Sequence, residues 1–123
     1  METNLNLLAL LHDTCLKEVK RVDKGFHFYF VFYLNGTSEH KVELITSETA
    51  NISCVEYYRD NTQNEINLTD LQNVDCIKAQ QKNNNIELFL EDIKKDTVIK
   101  LHFEAQKKQF TGEIEQLKQF WND

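Results

Sequence analysis

At 123 residues the chain has the length of one domain, which excludes a catalytic unit with an appended regulatory one. A hydrophobic share of 41% and a charged share of 28% match a folded globular protein and exclude a disordered one. The net charge of −6 argues against nucleic acid, which needs a basic footprint, and no run approaches the ~18 apolar residues of a membrane helix.

Met1-Glu2-Thr3-Asn4 lacks the basic region of a secretory signal, so the chain reads as cytoplasmic, with Cys15, Cys54 and Cys76 as reduced thiols. The N-terminus admits two readings. Leu5, Leu8, Leu11, Cys15, Val19 and Val22 form a stripe at helical spacing from Asn4 to Arg21, whereas His12-Asp13-Thr14 offers a break. We take the second, a short helix over Asn4 to Leu11 followed by a strand over Thr14 to Val22. Asp23-Lys24-Gly25 has the composition of a three-residue hairpin loop with glycine left-handed, and Asn35-Gly36 is the strongest turn signal in the chain. Between them Phe26, Phe28, Phe30, Phe32 and Leu34 share one face of a strand. The other face, His27, Tyr29, Val31 and Tyr33, is aromatic enough to need a cover, for which a helix of the same chain is preferred over a partner or a second subunit.

Further strands follow: Val42 to Thr46, Ile52 to Tyr58, a short segment near Glu65 to Leu68, and Val74 to Gln80. Lys82-Asn83-Asn84-Asn85 reads as a turn because Asn tolerates left-handed angles, and strands from Ile86 and from Thr97 to Ala105 complete the series. Thr111 is placed as the cap of a final helix, with Glu113 and Glu115 in its first turn and Ile114, Leu117 and Trp121 on its apolar stripe. The fold class expected is α+β, with residues 1–123 as a single domain. Its core is an antiparallel β-meander of about seven strands, carrying a short N-terminal helix and a packed C-terminal helix.

The motifs of common chemistries are missing. Gly25, Gly36 and Gly112 are the only glycines, too few for either phosphate-cradling glycine loop, and the four histidines show no HxH or HExxH spacing. Carboxylate pairs such as Glu91-Asp92 read as solvated strand ends. No catalytic residue, cofactor or metal site is expected. Charge is more informative. Residues 1–38 and 76–123 each sum to zero, so the whole imbalance lies in 39–75, where eight acids face only Lys41 and Arg59. Such a tract repels nucleic acid and steers a basic protein toward itself.

Leu11-His12-Asp13-Thr14, then Leu16 and Val19, a glycine-containing turn and alternating Phe26, Phe28 and Phe30 resemble the opening of known proteins. These are the small β-meander immunity proteins encoded beside bacterial polymorphic and contact-dependent growth inhibition toxins. The resemblance implies a cytoplasmic, non-enzymatic protein that binds and neutralises a cognate toxin domain. Charge complementarity points to a basic nuclease, bound through Glu39, Glu43, Glu48, Glu56, Tyr57, Tyr58, Arg59, Asp60, Glu65, Asp70 and Asp75. No nucleic acid or membrane is expected as a partner. A second resemblance, strands ending in one helix with a late Trp, is to pleckstrin-homology-like scaffolds. It implies a small ligand-binding or scaffold domain, for which the aromatic Tyr29/Tyr33 face offers a contact between two copies.

Overall fold

The computed structural model describes residues 7–34 and 36–122, with side chains as far as Phe120. A 3-10 turn, Ala9–Leu11, leads into strands β1 (Cys15–Val22), β2 (Gly25–Leu34), β3 (Ser38–Tyr57) and β4 (Gln63–Glu65). After a second 3-10 turn, Leu68–Asp70, come β5 (Gln72–Lys82), β6 (Asn85–Asp92), β7 (Thr97–Gly112) and helix α1 (Ile114–Asn122). The seven strands form one antiparallel sheet. A simple meander is corrected here. Hairpins join β1 to β2, β2 to β3, β5 to β6 and β6 to β7, but β1 also pairs with β5 and β3 with β7. These two long-range ladders close six strands into a barrel in the order β1, β2, β3, β7, β6, β5, leaving β4 outside on β3.

Period-two alternation builds the interior. Phe26, Phe28, Phe30 and Phe32 of β2, Ile86, Leu88 and Leu90 of β6, and Ile99, Leu101 and Phe103 of β7 all point inward and are buried. Phe28 and Phe103 stack across the centre with ring centroids 5.5 Å apart. At ~1.5–3 kcal/mol per large side chain, this cluster is the main source of stability. Bulges bend the two strands that close the ring, between Leu16 and Glu18 in β1 and between Cys76 and Lys78 in β5. Each lets residues three apart face inward together, Leu16 with Val19 and Cys76 with Ala79. The helix-like spacing in the N-terminal sequence is therefore that of a bulged strand, as the break at His12-Asp13-Thr14 indicated.

The two strands expected at Val42 to Thr46 and Ile52 to Tyr58 are one. β3 runs for 20 residues and turns at Glu48 (φ 52°) and Asn51 (φ 53°), with a register shift between Ala50 and Ser53. Its first half pairs with β2, and its end pairs with β4. The Asp23-Lys24 loop takes its left-handed residue at Lys24 (φ 57°), not at Gly25. Gly25 answers a different need, close approach to Thr46 on β3. The Lys82–Asn85 turn forms as expected, with Asn83 left-handed at φ 56°.

At the chain ends, the described part of the N-terminal helix is the Ala9–Leu11 turn alone, while Asn4 to Asn6 lie outside the described residues. Thr111 belongs to β7 and caps nothing; helix α1 starts three residues later. Leu117 is fully buried and Phe120 tilts against Phe32, with centroids 5.6 Å apart. The helix therefore closes the barrel end where β2 finishes and β3 begins, and its ring contact reaches the inner face of β2. It does not cover the outer one. There Val31 is screened by its own neighbours, in a shallow cleft shared with Lys17, Tyr29, Lys41 and Glu43. Trp121, assigned to the apolar stripe, has a side chain outside the described residues.

Candidate functional site

At the opposite end, where β3 and β6 finish and β5 and β7 begin, the barrel opens into a cavity of about 410 Å³. Its apolar wall is Ile66, Leu71, Val74 and Ile99, and its polar groups include Glu56, Tyr58, Asp70, Asp92 and Lys95. Local structure explains each position. Glu56 follows Cys54 on the inward face of β3, so the alternation that buries the thiol also buries a carboxylate, 3% exposed. Its Oε2 accepts a hydrogen bond from Thr97 Oγ1 (2.6 Å), and its Oε1 accepts one from the Tyr58 hydroxyl (3.0 Å). That bond to a carboxylate holds the Tyr58 hydroxyl above the usual phenol range.

The rim is made by capped turns. Asn67 Oδ1 accepts from Thr69 N–H (3.3 Å) to start the Leu68–Asp70 turn, and Leu68 and Leu71 anchor it in the core. Asp70 is exposed between them. Asp92 closes the β6–β7 loop by accepting from Lys95 N–H (3.2 Å), which brings Lys95 to the rim as well. In the β3–β4 loop, Asp60 accepts from the Thr62 hydroxyl (2.5 Å) and N–H (3.0 Å), and these bonds hold its carboxyl below the usual range.

The sequence-predicted acidic surface is thus divided. Glu56, Tyr58 and Asp70 meet at the cavity, Asp60 lies in the loop that carries Tyr58, and Glu65 lines an adjoining cleft with Arg21, Cys54 and Leu68. The others lie elsewhere. Glu39 accepts from the Tyr33 hydroxyl (3.1 Å), and Glu43 meets His27 Nε2 at 2.5 Å, both on the outer β2–β3 face, where Tyr29 stacks on His27. Glu48 sits at the turn of β3, and Asp75 pairs across β5 with Cys15 and Glu91. Tyr57 points outward beside Val98. The Arg59 guanidinium pairs with Asp96 across the loops, outside its own tract.

Asp92, Lys95 and Thr97 were not foreseen. In the sequence Asp92 reads as a solvated strand end, and only the long-range ladder between β3 and β7 brings these residues to Glu56. Within the described residues, no group of three or more His, Cys, Asp or Glu side chains could hold a metal ion. Burial pushes the Cys54 and Cys76 thiols up to about 12, far from thiolate reactivity at neutral pH. No helix among the described residues is long and apolar enough to cross a membrane. No protein-family model, curated protein or solved structure matches the chain.

Proposed function

We propose that this protein is a cytoplasmic immunity protein that binds and neutralises a cognate bacterial toxin domain. By charge the toxin is a basic nuclease, and no catalytic step of the immunity protein itself is involved. One observation carries this reading beyond the likeness of residues 11–30. None of the eight carboxylates between Glu39 and Asp75 lies within ion-pair distance of a lysine or arginine among the described residues, Glu43 with His27 being their one pair. Asp60, Glu65 and Asp70, exposed near the cavity end, and Glu39 and Glu48, exposed elsewhere, are therefore not neutralised from the chain ends. A toxin that grips a polyanion offers the complementary field.

Co-expression with the protein encoded beside it tests the proposal. The expected result is a complex that survives size-exclusion chromatography at low ionic strength and weakens as salt is raised. Failure to associate at low salt, or an acidic partner domain, would overturn it. The alternative, a small ligand-binding or scaffold domain of pleckstrin-homology-like type, draws on the same cavity and on the exposed Tyr33 of the outer face. A dimer through that face predicts twice the monomer mass in solution, and a monomeric mass at high concentration removes it.

A further inference from the structure

β7 is 16 residues long, but only its first half lies between two strands. β6 begins at Asn85, opposite Glu104, and the last bond on that side runs from Ala105 N–H to Asn84 O (2.9 Å). From Gln106 to Gly112 the strand has β3 on one side and, among the described residues, no strand on the other. Gln106, Lys107, Lys108 and Gln109 are all exposed. The direction of the backbone groups follows from the ladder. Glu113 N–H donates to Lys41 O, so antiparallel alternation turns Thr111, Gln109 and Lys107 toward β3 and aims the N–H and C=O of Phe110 and Lys108 at the open side. An edge of this kind is completed by a strand. β4, outside β3, also has an open side, but at three residues it is too short to template another chain.

The side chains decide which strand fits. Lysines at an edge ordinarily hold copies of a chain apart, and in most registers they do so here. A twofold axis at Lys107 or Lys108 sets that lysine against its own counterpart, a like-charge pair. An axis at Gln109 does not. It places Gln109 opposite Gln109, Lys107 opposite Thr111 and Lys108 opposite Phe110, with residues 106–112 overlapping. An axis at Phe110 also separates the lysines, but the overlap is shorter because the chain turns into α1 after Gly112. We infer that the open edge of β7 is an interface between two copies of this chain, paired antiparallel about a twofold axis at Gln109. Each Lys108 exchanges both backbone bonds with Phe110 of the other copy, and its ammonium comes within reach of that half-buried ring. The contact uses the same surface on both copies and so closes at two. It lies at the end of β7 remote from the cavity and stands or falls independently of the immunity reading.

Sedimentation equilibrium of the full chain from about 10 μM to about 1 mM tests it, at physiological salt so that the net charge of −6 on each copy is screened. The mass is expected to rise from one copy toward two. Lys108→Pro removes an N–H that no ladder within the chain uses, so it should keep the fold and weaken association at least about tenfold. Gln109→Lys and Gln109→Glu each meet their own charge across the axis and should weaken it severalfold, whereas an equimolar mixture of the two should associate more tightly than either alone. This pair keeps the test decisive if the proline variant unfolds. A mass of one copy throughout would overturn the inference, and so would a mixture that shows no recovery. A dimer lost in Tyr33→Lys and untouched by the Gln109 variants would overturn it in favour of the outer β2–β3 face. Slow amide exchange at Lys108 and Phe110 where the protein is monomeric would overturn it too, since the edge would then be closed within one chain.

Discussion

A methyl group at Gly25 would lie 1.9 Å from the carbonyl oxygen of Thr46, a distance that only backbone movement can relieve. The two strands touch there because Thr46, wholly buried, exchanges hydrogen bonds with the backbone of Phe26 through its hydroxyl, both at 3.3 Å. Gly36 presents the opposite case, with a left-handed φ of 75° and nothing within 4 Å of an added Cβ. Gly36→Ala should therefore cost only the left-handed penalty of about 1–2 kcal/mol, and Gly25→Ala about 3 kcal/mol or more, at the upper end of overpacking. Urea unfolding of the two variants measures the difference, and equal losses would show that the β2–β3 contact yields easily. At this scale the sequence was half legible. Glycine marked both places, but composition could not tell a turn requirement from a contact requirement, since the latter depends on a residue 21 positions away.

Helix α1 is tied to the barrel by Glu113, the residue before it, as much as by Leu117. Glu113 Oε2 meets His40 Nδ1 at 2.5 Å, its Oε1 accepts from Lys41 N–H at 3.0 Å, and its own N–H donates to Lys41 O at 2.8 Å. The bond to His40, then that to Lys41 N–H, hold the Glu113 carboxyl below its usual range. A carboxyl depressed in the folded state stabilises above its unfolded pKa, and that contribution is lost as pH falls through the folded value. Glu113→Gln should thus lower Tm near neutral pH, and the gap to the unaltered protein should shrink on going from about pH 7 to below the ordinary carboxylate range of about pH 4. A gap of equal size at both ends would assign the loss to geometry instead of ionisation. Elements with an undisturbed period, such as β2, β6 and β7, were readable from the chain, whereas β1 and β3 were not cleanly so. A bulge shifts the inward set by one residue in β1. In β3 the turn is made by Glu48 and Asn51, with no glycine or proline to mark it.

Closure of the barrel is a property of the whole chain, because the ladders β1–β5 and β3–β7 join segments tens of residues apart and no local pattern encodes them. The same ladders decide which acids meet. A run contiguous in sequence from Glu39 to Asp75 is laid along β3, through the β4 loops and back up β5, so that one part faces the cavity end and another the outer β2–β3 surface. Net charge and site charge can therefore be separated. Asp60→Lys, Glu65→Lys and Asp70→Lys, all exposed and near the cavity end, bring the net charge of −6 to zero, as three reversals of two units each. Glu39→Lys, Glu48→Lys and Glu115→Lys do the same away from that end. Long-range steering responds to overall charge, so both triple variants should bind the toxin domain more slowly at low salt and differ little from the unaltered protein in on-rate at high salt. Contact charges act on dissociation as well, so only the first set should also raise the off-rate, by about tenfold or more. Stopped-flow association and dissociation at two ionic strengths distinguish the cases, and off-rates that rise equally in both sets would mean that the partner does not seat at the cavity end.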